Sequence, residues 1–176
     1  MQRRANAIVF VDRTTKAIAM PLAPGTPAPD FALPVKPKEP PLRLADHLGE
    51  RVVVLMFFPL AFSSTCTEQM CTVAENYAVW TALDAEVIGI SIDSPWVNRK
   101  FAADCGATFP IASDFNKEVS AAYDALCDDF WGLKGVTRRV VYVIDRSGTI
   151  VYAWEGEHPG IMPDFPEIMA AVAGAA

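Results

Sequence analysis

The sequence predicts an α/β domain with a mixed central sheet flanked by helices. Apolar runs of strand length alternate with segments of helical spacing, and this order builds a sheet that carries helices on its faces. Near the C-terminus two strands flank the turn Arg146-Ser147-Gly148, and such a hairpin adds antiparallel pairing to the sheet. The predicted elements are strands at 31–33, 52–58, 86–93, 109–112, 139–145 and 149–154, and helices at 65–83, 95–105, 117–126 and 163–173.

Two segments of the chain carry clear signals for where regular structure begins or ends. Prolines crowd residues 21–41, which predicts an extended and irregular entry to the domain. Ser94-Pro95 is a favourable helix start, with Ser94 as the cap and Pro95 in the first turn. The same helix is expected to end at Gly106, since glycine tolerates the backbone conformation that closes a helix.

Length and composition limit the class of protein. The 176 residues are 52% apolar and are most simply one domain, while a formal charge of −6 disfavours nucleic-acid binding, which needs basic surface. No apolar run is long enough to cross a bilayer, and we recognise no secretion signal. We therefore expect a cytoplasmic protein that binds neither nucleic acid nor membrane. In the cytoplasm the four cysteines are expected to be reactive or free rather than structurally paired.

We expect the domain to span residues 21–176 and residues 1–20 to form a separate N-terminal arm. The arm is basic, with four cationic side chains opposed only by Asp12. It is either an extra edge strand at 7–11 or a loose tail, and a start of translation at Met20 is the other alternative.

Cys66 follows the apolar strand 52–58 at the predicted start of a helix. Thr65-x-x-Glu68 matches a capping box, which makes Thr65 the N-cap and Cys66 the first helical residue, with Ser64 as the alternative cap. Backbone N–H groups and the positive end of the helix dipole stabilise a thiolate there, and the thiolate is the reactive form of cysteine. The position predicts chemistry rather than packing, although the Glu68 carboxylate opposes a thiolate one turn away.

The segment Pro59-Leu-Ala-Phe-Ser63-Ser-Thr-Cys66 resembles the Pro-x-x-x-(Thr/Ser)-x-x-Cys signature of peroxiredoxins. The resemblance covers the chain from roughly Pro24 onward, with features of the alkyl hydroperoxide reductase E and bacterioferritin comigratory protein types. It implies a thioredoxin-like fold and reduction of hydroperoxides with neither a metal nor an organic cofactor. Further matching segments are Ala28-Pro-Asp-Phe31, Gly89-Ile-Ser-Ile-Asp-Ser94, Phe109-Pro-Ile-Ala-Ser-Asp114, Val119-Ser-Ala-Ala-Tyr123 and Arg139-Val-Val-Tyr-Val-Ile-Asp-Arg-Ser-Gly148.

The resemblance also implies roles for four residues. Cys66 matches the peroxidatic cysteine, Ser63 the hydroxyl position, Pro59 the residue that shields the thiolate, and Arg139 the active-site arginine. Attack by the thiolate moves negative charge along the S–O–O line, so fixed donors are needed beside both peroxide oxygens. The Cys66 N–H, the Ser63 hydroxyl and the Arg139 guanidinium are the candidates. Gln69 stands where many family members have glutamate, so a supporting role there is open.

Two arginines compete for the active-site position. Adjacent residues on a strand face opposite ways, so only one of Arg138 and Arg139 can reach the site. The family spacing to Asp145 selects Arg139 and leaves Arg138 as an ordinary surface charge. The two histidines, His47 and His158, fall in predicted loops and do not form a recognised metal-ligand spacing with the cysteines.

The family pattern further implies that Cys71 resolves the Cys66 sulfenic acid as an intrachain disulfide. Five residues turn a helix by about 500°, so Cys66 and Cys71 point to different faces, and the bridge requires the first turns of the helix to unwind. The alternative is that Cys71 is a half-buried helix cysteine. Cys127, in a predicted loop, is the reserve resolving candidate, and Cys105 at a helix end is expected to serve packing.

The expected function is therefore a thiol-dependent peroxidase for hydrogen peroxide or organic hydroperoxides, acting through a Cys66 sulfenic acid. The family implies a thioredoxin-like protein or a low-molecular-weight thiol as reductant, and suggests a homodimer. Two alternatives remain. A thioredoxin-type disulfide exchanger is disfavoured because Ser63 occupies the first position of the Cys-x-x-Cys motif. A redox sensor shares the oxidation step, so only turnover distinguishes it from an enzyme.

Overall fold

The computed structural model describes residues 20–176. The predicted edge strand at 7–11 lies outside these residues. None of the helices in the described part of the chain is long and apolar enough to span a bilayer.

Nine strands and five α-helices make up the described chain, with a short 3₁₀ helix at Leu44–Asp46. The strands are β1 (Ala32–Leu33), β2 (Leu42–Arg43), β3 (Val52–Phe57), β4 (Ala85–Ser91), β5 (Ile111–Ser113), β6 (Leu126–Cys127), β7 (Val136–Thr137), β8 (Val140–Ile144) and β9 (Ile150–Glu155). The helices are α1 (Ser64–Glu75), α2 (Tyr77–Ala82), α3 (Pro95–Cys105), α4 (Glu118–Ala122) and α5 (Phe165–Ala175).

The central sheet has five strands in the order β5-β4-β3-β8-β9. Strand β4 runs parallel to both β3 and β5, whereas β8 runs antiparallel to β3 and to β9. The predicted mixed sheet with flanking helices is therefore confirmed. Because β3 and β4 are adjacent and parallel, the loops that follow them lie at the same edge of the sheet.

Strand β3 lies at the centre of the sheet and is buried along its whole length. Its side chains alternate between two cores, as the two-residue period of a strand requires. Val52, Val54 and Met56 face the core that α1, α2, α3 and α5 cover. The residues between them face a second core, which the β1 region and α4 cover. This double cover accounts for the uninterrupted apolar run in the sequence.

Several boundaries agree with their sequence signals. Ser94 caps α3, its hydroxyl accepting a hydrogen bond from the Val97 N–H, and Pro95 is the first helical residue. Gly106 closes α3 with a φ of 66°, in the left-handed region.

Two predicted helices are shorter than expected. The helix predicted over 65–83 is divided at Asn76, whose side-chain amide donates to the Thr72 carbonyl at 2.9 Å. Asparagine competes in this way with the backbone ladder, so it ends α1. The helix predicted over 117–126 ends at Ala122, since Asp124 has a φ of 47° and the chain then enters β6.

Candidate active site

The loop between β3 and α1 is held from two sides. The Phe58 N–H extends the sheet by donating to the Ile90 carbonyl at 3.0 Å, and the Thr137 hydroxyl donates to the Phe58 carbonyl. Farther along, the Ala61 N–H donates to a carboxylate oxygen of Asp93 at 2.8 Å. The loop that precedes the candidate cysteine is therefore fixed to the ends of the neighbouring strands.

Helix α1 begins one to two residues earlier than the capping box predicts. Ser63 is the N-cap, and its side chain makes no capping hydrogen bond. Phe62 has a φ of 67°, and this left-handed residue turns the chain so that Ser63 is extended and Ser64 is already helical. Thr65 is thus the second residue of the helix and Cys66 the third. The Cys66 N–H still belongs to the first four N–H groups, which have no partner within a helix.

Arg139 lies directly against Cys66. Its Nη2 is 3.3 Å from the Cys66 sulfur, Cys66 is 1% exposed and Arg139 is 3% exposed. A guanidinium at this distance, in a site that excludes bulk water, favours a thiolate because the two charges are opposite. The sequence prediction brings these two residues together across 73 positions of the chain, and the structure places them in contact.

Two further acceptors fix the Arg139 side chain. Its Nη1 donates to the Gln69 amide oxygen, and the Pro159 carbonyl accepts from both Nε at 3.2 Å and Nη2 at 3.0 Å. Gln69 is fully buried one turn after Cys66 on α1. Both supporting acceptors are uncharged, so no carboxylate among them offsets the guanidinium charge that faces the Cys66 sulfur.

The Glu68 carboxylate does not lie in the pocket that holds the Cys66 sulfur. The Glu68 side chain is exposed to solvent, whereas Cys66, two residues earlier, is buried. The expected repulsion of a thiolate by Glu68 is therefore screened by water.

Ser63 and Pro59 occupy the loop that leads to Cys66. The Ser63 hydroxyl donates to the Leu60 carbonyl at 3.0 Å, so in this arrangement its proton is not directed at the cysteine. Pro59 is buried at the end of the sheet. Its role in shielding the thiolate stays a prediction from the resemblance.

Cys71 forms an intrachain disulfide, as predicted, but its partner is Cys105 and not Cys66. Cys66 is a free thiol. The rotation along α1 turns Cys71 toward α3, where the two Cα atoms are 4.6 Å apart, within the normal range for a disulfide. The expectation that Cys105 serves packing alone is therefore wrong. The pairing depends on how α3 packs beside α1, and no local pattern in the sequence indicates that packing.

Arg138 is not an ordinary surface charge. It forms an ion pair with Glu155, its side chain is 13% exposed, and it also donates to the Asp124 carbonyl. Adjacent residues face opposite ways here, as expected, so Arg138 ties the end of β9 to the turn before β6 while Arg139 enters the site.

Cys127 lies in β6 rather than in a loop, and it is a free thiol whose sulfur is 3.0 Å from the Asp129 carbonyl oxygen. It shares with Arg139 and His158 the lining of a cavity of about 210 Å³ beside the site.

Within residues 20–176, no three histidine, cysteine or acidic side chains are grouped as metal ligands would be.

Sequence reasoning missed two contributors to the site. The Pro159 carbonyl is a backbone group in the loop after β9, and no residue-type signal marks such an acceptor. Asp93 follows β4, and the carboxyl ends of adjacent parallel strands meet at one sheet edge, so the sequence could have placed it beside the loop after β3.

Comparison with known proteins identifies the family. The AhpC/TSA family profile matches residues 24–153. A Mycobacterium tuberculosis protein named as a peroxiredoxin is 38% identical over 135 residues, covering 75% of this chain and 84% of that protein. The chloroplastic 2-cysteine peroxiredoxin of Chattonella marina is 33% identical over 143 residues, covering 76% of this chain and 71% of its own length. The crystal structure of peroxidoxin BcpB from Mycobacterium tuberculosis superposes with a TM-score of 0.76 at 25% identity, covering 87% and 97% of the two chains.

The fold and the site thus define a thioredoxin-like protein with a cysteine-centred active site. The chain belongs to the AhpC/TSA family and is a peroxiredoxin, an enzyme that reduces peroxides with a thiol.

Proposed function

We propose that Cys66 is the peroxidatic residue, and that hydroperoxide reacts at its sulfur beside Arg139. The observation that carries this assignment is the 3.3 Å contact between Arg139 Nη2 and the Cys66 sulfur in a buried pocket at a helix N-terminus. A cation and unpaired amide N–H groups in the same place favour a thiolate and then a developing oxyanion.

The reaction step follows from this arrangement. The Cys66 thiolate attacks one peroxide oxygen, the S–O bond forms, and the O–O bond breaks. The other oxygen leaves as hydroxide or alkoxide and takes a proton from solvent. Cys66 becomes a sulfenic acid. Negative charge grows on the departing oxygen during the step, and the Arg139 guanidinium and the Cys66 N–H are the fixed donors that would stabilise it.

Ser63 and Pro59 would shape the same pocket. With its proton on the Leu60 carbonyl, the Ser63 oxygen has lone pairs available to accept the O–H of a hydroperoxide, which orients the substrate for attack. Rotation of the hydroxyl would turn it into a donor for the leaving oxygen. Pro59 would keep water from the thiolate.

Cys71 in its reduced form would resolve the sulfenic acid. Its thiol attacks the Cys66 sulfur, an intrachain disulfide forms, and water leaves with the hydroxyl oxygen of the sulfenic acid. A thioredoxin-like protein or a low-molecular-weight thiol then returns the enzyme to the dithiol state. A homodimer and a cytoplasmic location stay predictions from the sequence, as does the division into residues 1–20 and 21–176.

A Cys66→Ser variant tests the assignment. Peroxide consumption with dithiothreitol as reductant should fall to the rate of the buffer, while the circular dichroism spectrum is retained. Unchanged consumption would show that Cys66 is not the reacting residue. Repeated turnover by the wild type separates an enzyme from a sensor, and an insulin-reduction assay on the same sample measures any disulfide-exchange activity.

A further inference from the structure

The Cys71–Cys105 disulfide lies in the interface between α1 and α3. Cys71 is five residues after Cys66, so the disulfide is on a different face of α1 from Cys66. Both of its cysteines are half-buried, whereas Cys66 is 1% exposed. A reducing protein or thiol can therefore approach the Cys71–Cys105 pair in the folded enzyme more readily than it can approach Cys66.

Cys105 also lies close to the first turn of α1. Its sulfur is 3.9 Å from the Thr67 carbonyl oxygen, and Thr67 directly follows Cys66 in the chain. Thr67 and Cys71 are four residues apart, so they share one face of the helix. Any unwinding that carries the Cys66 sulfur toward Cys71 brings it to the face of α1 that Cys105 contacts.

The two disulfides that Cys71 can make differ in their demand on α1. A bond to Cys66 requires the first turns to unwind, because five residues place the two side chains on different faces. A bond to Cys105 is compatible with the intact helix, as the structure shows. Exchange from the first bond to the second therefore restores the helix, and with it the pocket that holds Cys66 against Arg139.

We propose that the Cys71–Cys105 disulfide is the end product of peroxide reduction, formed by a three-cysteine relay. This inference rests on the proposed function, in which Cys71 resolves the Cys66 sulfenic acid. Cys105 loses its proton to solvent, and its thiolate attacks the Cys71 sulfur of the Cys66–Cys71 disulfide. The Cys71–Cys105 bond forms, the Cys66–Cys71 bond breaks, and Cys66 leaves as a thiolate.

The leaving group favours this direction of exchange. Thiol–disulfide exchange is faster when the departing sulfur is the better stabilised thiolate. In the forward step Cys66 is the leaving thiolate, and the Arg139 guanidinium and the helix N-terminus stabilise its charge. In the reverse step Cys105 is the leaving thiolate, and it lacks that stabilisation. Two electrons pass from the Cys71 and Cys105 thiols to the hydroperoxide, and an external dithiol later reduces the Cys71–Cys105 bond.

Peptide mapping tests the relay. Fully reduced protein receives one equivalent of hydrogen peroxide, is quenched with acid at successive times, alkylated and digested with a glutamate-specific protease. Glu68 lies between Cys66 and Cys71, so the digest assigns each linkage without ambiguity. The wild type should end with a Cys71–Cys105 link and an alkylated Cys66, and it should consume a second equivalent of peroxide without added reductant.

Variants separate the relay from its alternatives. Cys105→Ser should accumulate the Cys66–Cys71 link and consume a single equivalent, while the matched control Cys127→Ser should behave as the wild type. A wild-type end product of Cys66–Cys71 with Cys105 alkylated would overturn the relay and leave the proposed function intact. Formation of Cys71–Cys105 in Cys66→Ser at the wild-type rate would also overturn it, as would a Cys66–Cys105 link in Cys71→Ser. Failure of the proposed function has a different signature, namely peroxide consumption that survives Cys66→Ser.

Discussion

Cys66 and Cys71 lie five residues apart on one helix, in opposite surroundings. Cys66 is buried at the first turn of α1, against Arg139 and close to helix N–H groups without partners. Cys71 is half-buried farther along, and it faces α3 through its bond to Cys105. The same rotation of the helix that gives Cys66 its charged pocket turns Cys71 away from it.

Under the proposed function, this difference would let one helix divide the work between two sulfurs. A reacting sulfur needs fixed charge and little water, whereas a sulfur that meets an external reductant needs access from solvent. The intact helix supplies both conditions but keeps the sulfurs apart. Reaction between them therefore requires a change in α1, and variants that alter one side should leave the other side largely unaffected.

Removal of the charge on the Cys66 side should have the largest effect. Arg139→Met keeps much of the side-chain volume but removes the guanidinium at 3.3 Å from the sulfur. The second-order rate constant with hydrogen peroxide should fall by about 10²–10³, as for loss of one fixed donor at a developing oxyanion. Stopped-flow measurement of the intrinsic fluorescence change on oxidation gives this rate.

Arg138→Met is the matched control for that variant. It removes an equal charge one residue away, but the lost contacts are to Glu155 and the Asp124 carbonyl rather than to Cys66. The peroxide rate should stay within about threefold of the wild type, since the Arg138 charge is paired with Glu155 rather than directed at the Cys66 sulfur. Equal losses in the two variants would show that fold integrity, and not the guanidinium at the sulfur, sets the rate.

Reduction of the Cys71–Cys105 disulfide should lower the free energy of unfolding. The Cys71–Cys105 bond closes a chain segment of 34 residues. A loop of that length corresponds to about 3–4 kcal/mol of stabilisation from the restricted unfolded chain, and measured values are often smaller. Urea unfolding of peroxide-treated wild-type protein, with and without a phosphine reductant, measures the difference, while the double variant Cys71→Ser/Cys105→Ser, which cannot form the bond, should show none. A reductant effect of equal size in the double variant would contradict the assignment.

Substitution of Gln69 should have a smaller effect on the rate of the peroxide reaction at Cys66. Gln69→Leu removes the oxygen that accepts from Arg139 Nη1, so the guanidinium loses one of its positioning contacts. The peroxide rate should fall about tenfold, or about 1.4 kcal/mol, within the range for one hydrogen bond to a charged group. Stopped-flow measurement of the oxidation gives this rate, as for Arg139→Met.

Gln69→Glu gives the second half of this test. The carboxylate keeps the acceptor but adds a negative charge beside the guanidinium. If position alone mattered, the glutamate variant would match the wild-type rate. If the uncharged acceptor matters, as the arrangement of Arg139 indicates, the peroxide rate of the glutamate variant should again fall below that of the wild type. A wild-type rate in both variants would remove Gln69 from the account of the site.

Sequence reasoning predicted the sheet and the position of Cys66 in the first turn of a helix because local patterns determine both. The apolar run of β3 and the Ser94 cap of α3 are read directly from adjacent residues, and Arg139 was found through the family pattern. The start of α1 was misplaced because a left-handed Phe62 carries no signal in its side chain. The partner of Cys71 was missed because it depends on how α3 packs on α1, which no local pattern reveals.

Contacts on the other side of the sheet should affect the site least. Tyr142 lies in the second core, where its hydroxyl donates to the Tyr123 carbonyl at 2.6 Å and accepts from the Leu22 N–H at 3.0 Å. Burial raises the pKa of Tyr142 to about 12, the Leu22 hydrogen bond opposing the shift. A tyrosine in the unfolded chain ionises near pH 10, so the unfolded state alone loses this proton between about pH 10 and 12.

The sign of the pH effect follows from that difference. Below about pH 10 both states hold the proton and the contribution of Tyr142 is fully present; as the pH rises toward 12 it is progressively lost. Tyr142→Phe should therefore lower the free energy of unfolding at pH 7 by about 1 kcal/mol, through the lost hydrogen bonds, and make its decline above pH 10 less steep. The peroxide rate at pH 7 should not change. A slower peroxide reaction in this variant would show that the second core is coupled to Cys66 through β3. The reactivity of Cys66 would then depend on packing on both faces of the sheet and not on the contacts of α1 alone.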